Sequence, residues 1–121
     1  MSARTQLAEQ LATKLPGFRV VKEENVPDQL TKGTVVVRFH GYTPAPNAQG
    51  TMIANFIVTV ISHHTDFEKA EDHLDELLPD VLSALSTADD GITWTDASKV
   101  LVSNTWLGFD VTASFYAARI Y

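Results

Sequence analysis

A chain of 121 residues with 45% hydrophobic and 20% charged side chains has the size and make-up of one globular domain, too short for separate cofactor and substrate domains. Nine basic against fifteen acidic residues leave a formal net charge of -6, the wrong sign for a protein whose main partner is a phosphate backbone. The absence of cysteine removes disulfides, thiolate metal sites and thiol catalysis. With no apolar block at the N-terminus and no stretch near the roughly 20 apolar residues of a membrane span, a soluble, unexported chain is expected.

Leu7, Ala8, Leu11, Ala12 and Leu15 recur at steps of three and four and predict a short amphipathic helix over Thr5 to Leu15, stopped by Pro16-Gly17. Phe18 to Val21 reads as a short strand, and the polar stretch from Lys22 to Gly33 as a connection. Thr34 to Tyr42, with its Val35-Val36-Val37 run, is a second strand. Thr43 to Gly50 holds Pro44, Pro46, Asn47 and Gly50, breakers that suit an exposed hairpin arm. Thr51 to Ile61 is too apolar for simple alternation, which predicts a central strand covered on both faces.

Thr65 and Glu68 match a capping box, with Asp66 adding charge that favours the positive end of a helix dipole. The helix they open has an apolar stripe from Phe67 through Leu74 and Val81 to Leu85, with Pro79 expected to bend it, and an end near Ala88. Three further strands are predicted at Ile92 to Thr95, Lys99 to Asn104 and Phe109 to Ile120, separated by Asp96-Ala97-Ser98 and by Trp106-Leu107-Gly108. The order α-β-β-β-α-β-β-β, without repeat or linker, predicts a single α+β domain over residues 1–121. Its sheet, largely antiparallel or mixed, would be backed by two helices on one face.

Chemical signatures are sparse. The six glycines are scattered singly, so no phosphate loop exists, and no Gly-x-Ser-x-Gly elbow surrounds Ser62, the serine beside His63-His64. His63, His64, Asp66, Glu68, Asp72 and His73 would supply nitrogen and oxygen ligands suited to zinc or manganese, but their spacing matches no metal motif, and a solvated turn is the expected reading. His40, alone in a strand, is expected at a packed or rim position. Between Asp66 and Asp80 seven acids face one base, Lys69, which reads as a solvated helix face or as the wall of a passage that repels a polyanion. Neither a catalytic residue, a cofactor nor a bound metal is expected. Tyr42 beside the arm and Trp106 in its expected turn are the aromatics most suited to anchor a partner.

Across nearly its full length the chain resembles the tail terminator proteins of long-tailed, non-contractile double-stranded DNA bacteriophages, especially the small versions from phages of actinobacteria. The resemblance rests on Leu15-Pro16-Gly17-Phe18-Arg19-Val20-Val21, Thr34-Val35-Val36-Val37-Arg38, Pro44-Ala45-Pro46, Val60-Ile61-Ser62, Ala70-Glu71-Asp72 with Leu74-Asp75, Thr93-Trp94 and Phe109-Asp110-Val111-Thr112. It implies a non-enzymatic virion protein, made in the host cytoplasm, that forms a hexameric ring on the head-proximal end of the tail tube. Its expected partners are copies of itself, the tail tube protein and a head-tail connector or head-closure protein, with genomic DNA passing through the lumen without specific binding and no membrane involved. The ring interface is then expected at Tyr42, Pro44, Pro46, Asn47, Gln49 and Trp106. The alternatives are another head-tail joining protein, such as a head-closure or tail-completion protein, or a small enzyme or ligand-binding domain using His63 and His64 with nearby carboxylates.

Overall fold

The computed structural model describes residues 3–21, 30, 32–44, 52–86, 92–102 and 105–117. Helix α1 (Ala3–Lys14) is followed by β1 (Arg19–Val21), β2 (Thr34–Pro44) and β3 (Met52–Ile61), then α2 (Phe67–Ser86), β4 (Thr93–Val102) and β5 (Trp106–Ala117). The strands form one sheet in the order β1-β2-β3-β5-β4. β1 pairs with β2 in parallel and every other pairing is antiparallel, so the α+β class and the mixed, mostly antiparallel sheet are as the sequence predicts.

Among the described residues seven elements are present where eight are expected, because the expected strands at Ile92 to Thr95 and Lys99 to Asn104 merge into a single strand, β4 (Thr93–Val102). Its register shifts between Trp94 and Asp96, so a bulge at Thr95 absorbs the irregularity that reads in sequence as a break. As an edge strand β4 can leave Asp96 and Ser98 in water, and its polar middle therefore does not end it. Trp106-Leu107-Gly108 likewise lies within β5 rather than in a turn, pairing with Val102, Leu101 and Val100. Gly108 serves close approach: a Cβ there would stand 2.5 Å from the Val60 carbonyl oxygen.

Both helices cover the same face of the sheet. Leu7, Leu11 and Leu15 from the N-terminal helix and its end, with Leu74, Val81 and Leu85 from α2, pack on Val35, Val37, Phe56, Val58, Val60 and Val111. These sheet residues alternate along their strands, which is the period-2 pattern of a half-covered sheet. The turn after α1 closes through Leu15 N–H to Leu11 C=O at 2.9 Å and Phe18 N–H to Leu15 C=O at 3.1 Å, bridging Pro16-Gly17. Helix α2 is capped by Asp66, whose Oδ1 accepts the Glu68 amide at 3.1 Å, and the expected cap at Thr65 is displaced by one residue. It continues through Pro79, which lies on its exposed side.

Among the described residues the opposite face of the sheet bears no helix. At one end it holds a small apolar cluster of Val21, Leu30, Val36 and Ile61, with Val102 and Trp106 against it. β3 is central, as expected, yet its second face is only partly covered, with Ile53 and Ile57 half-buried. Beyond a register shift at Phe39/Gly41, His40 is an extra, exposed residue of β2. The +154° φ of Gly41 is open to glycine and strained for any side chain.

Candidate functional site

Between β3 and α2 the chain reverses over residues 62–66, and the reversal carries the most concentrated chemistry among the described residues. Ser62 is wholly buried, its amide bonded to the Leu107 carbonyl at 3.1 Å, which holds the start of the reversal to β5. Ser62 Oγ accepts the His64 amide at 3.3 Å and lies 2.8 Å from His73 Nδ1. The three imidazoles of His63, His64 and His73 then stack against one another, with ring centroids 4.2, 5.0 and 4.9 Å apart. One ligand nitrogen from each lies within 4.8 Å of the others. All three residues are half-buried.

Burial holds the His63 imidazole below its ordinary pKa, and the neighbouring His64 lowers it further. His73 is also lowered, by burial first and then by His63 and His64, with Glu76 pulling in the other direction. His63 and His73 are both disposed by these shifts toward the neutral form, with nitrogen lone pairs available. His63 Nδ1 is buried and has no hydrogen-bond partner among the described residues. Ser62 is not placed for attack on a substrate, because its hydroxyl is sealed from solvent and engaged with the His64 amide and the His73 ring. It positions an imidazole instead.

The sequence places His63 and His64 side by side, whereas their meeting with His73 depends on how α2 folds back over the sheet. A signal was available in the helix pattern: His73 lies between the buried Ala70 and the core-packed Leu77 at helical spacing, inside the inward stripe rather than on the wet face. The carboxylates expected nearby take other roles. Asp66 caps the helix, and Glu68 and Asp72 are exposed.

Of the residues expected at an interface, Tyr42 is exposed on β2, 51% accessible, with its ring 4.9 Å from that of Phe39. Pro44 is the last residue of β2 and pairs with Met52, while Pro46, Asn47 and Gln49 lie outside the described residues. Trp106 opens strand β5 rather than lying in the expected turn, and it is half-buried on the apolar cluster of the opposite face.

That face also carries a polar group the sequence reading does not single out. Arg38 Nη2 donates to Thr59 Oγ1 at 3.0 Å and to Asp110 Oδ1 at 3.3 Å, and Thr59 Oγ1 donates to Asp110 Oδ1 at 2.7 Å. The three residues stitch β2, β3 and β5 together. A shallow groove of about 480 Å³ lies elsewhere, between the α1–β1 turn and α2, lined by Leu15, Pro16, Phe18, Asp80 and Ser83 and by none of the histidines. Among the described residues no helix is long and apolar enough to cross a membrane. Compared with known proteins, the chain matches no family model and no curated protein.

Proposed function

We propose that this protein is a structural ring subunit of the tail-terminator type, capping the head-proximal end of a phage tail tube, ending its polymerisation and presenting the surface that joins the head. The resemblance in sequence suggests this reading, and the open edge of the sheet is the observation that carries it. Among the described residues β4 is paired on one side only, by β5, and is exposed over most of its ten residues, including Trp94 and Leu101 at 37% and 49%. A long edge of this kind invites strand or arm addition from another chain. On the other side of β5, the antiparallel β2–β3 pair carries Phe39 and Tyr42 exposed on β2, and the expected arm follows Pro44. Arm of one subunit against edge of the next is a head-to-tail contact, and such contacts close into rings when the rotation between subunits closes. A hexamer is the closure the resemblance implies.

In this reading the chain turns over no substrate. Its acidic α2 face, with six acids from Glu68 to Asp80 against Lys69, suits a ring through which DNA passes without being gripped. Negative-stain imaging of the protein alone and mixed with tail tubes, paired with light-scattering mass, tests the assignment. A sixfold ring, or density on one end of the tube, is expected. Removing Pro44 to Gln49 should leave a folded monomer that no longer assembles. A compact monomer that ignores tubes, or a deletion variant that still forms rings, would overturn it.

A further inference from the structure

We infer that His63, His64 and His73 form a binding site for a zinc-class divalent transition metal, fastening the end of β3 to α2. The inference stands independently of the ring assignment. Three imidazoles from two separate elements converge with one ligand nitrogen each inside 4.8 Å. A tetrahedral ion with bonds of about 2.0–2.1 Å sets its ligand nitrogens about 3.3 Å apart, so small ring rotations of half-buried side chains close the set.

Two further features point to a metal rather than to incidental stacking. Ser62 Oγ occupies His73 Nδ1 at 2.8 Å, which leaves Nε2 as the ligand atom. A ligating histidine characteristically donates its other ring N–H to a fixed acceptor that orients it, and buried Ser62 Oγ is placed to accept from His73 in the tautomer that carries its proton on Nδ1. His63 Nδ1 is a buried polar atom without a partner among the described residues, a cost that coordination or a reoriented ring would relieve.

The donor set selects the class of ion. Nitrogen ligands without thiolate suit Zn²⁺, Cu²⁺, Ni²⁺ or Co²⁺, whereas Mg²⁺ and Ca²⁺ require oxygen. Three protein ligands leave a fourth position for water. The acidic side chains of α2 add an attractive field for a cation.

The test uses tag-free full-length protein stripped with a chelator and titrated with ZnCl₂ by calorimetry, with CoCl₂ as a spectroscopic probe and histidine ring resonances followed by NMR. One ion per chain is expected, with a visible Co²⁺ band of tetrahedral type and a rise in melting temperature. The ring signals of His63, His64 and His73 should move while that of His40 does not. His64→Gln and His73→Gln should each weaken zinc at least tenfold, Ser62→Ala about tenfold through loss of the orienting bond, and His40→Gln not at all. Zinc that leaves the three ring signals of the unmodified protein unmoved would overturn the site. So would affinity unchanged in folded His64→Gln and His73→Gln proteins.

Discussion

Asp110 accepts from both Arg38 and Thr59, and its own side chain is about a quarter exposed while Thr59 is almost wholly buried. Replacing it by alanine leaves the buried Thr59 hydroxyl proton without its acceptor and Arg38 with only its bond to Thr59 Oγ1. Asp110→Ala is expected to lower stability by about 1–3 kcal/mol in urea unfolding, and a loss within error of zero would mean that water replaces the carboxylate fully. The histidines make a second residue-scale prediction. His63 and His73 have folded pKa values below the ordinary histidine value of 6.5, so the folded protein binds fewer protons there than the unfolded chain. Their contribution is intact above the unfolded value and is lost as pH falls through it toward the depressed folded values. Melting temperature of the chelator-stripped protein should fall between pH 7 and pH 5, and the fall should shrink in a His63→Gln/His73→Gln variant. An identical pH profile in that variant would contradict the assignment.

At the scale of elements, α2 combines a strong inward stripe with an N-terminus held by one carboxylate. Ala70, Leu74, Val81 and Leu85 bury it against the sheet, and Asp66 satisfies the Glu68 amide where the helix begins. Asp66→Ala should cost about 1 kcal/mol of stability, and Thr65→Ala much less, measured side by side by denaturant unfolding. Equal losses would restore the capping role to Thr65. The helix is also linked to the edge strand by Lys99 and Glu71 at 3.1 Å, but both side chains are about half exposed and such pairs contribute little. The hold of α2 on the sheet therefore rests on apolar packing. Among the described residues β4 pairs with β5 alone, which makes its outer side the natural place for another chain to add.

For the whole molecule, the two candidate surfaces lie apart. The last described pair of β2 and β3, Pro44 and Met52, lies at the N-terminal end of β3, and the histidines follow its C-terminal end, so Tyr42 and the cluster stand toward opposite ends of the strand pair. Ring assembly through the arm and metal binding by the histidines can thus be tested without disturbing each other. The helices and most strands were legible in the sequence because their signals are local: apolar steps of three and four in Leu7 to Leu15 and Phe67 to Leu85, alternation in Phe109 to Ala113, and Pro16-Gly17 as a stop. Local pattern misjudged β4 and Trp106, where a bulge and a close-packed glycine imitate the marks of a turn. Sequence by itself determined the size, charge, fold class and inward faces of this protein, since these follow from composition and from neighbours a few residues apart. Only the tertiary structure decided that β5 inserts beside β3, that Arg38 meets Asp110, and that His73 reaches His63 and His64. Those pairings depend on how the elements pack across long stretches of chain, which no local spacing encodes.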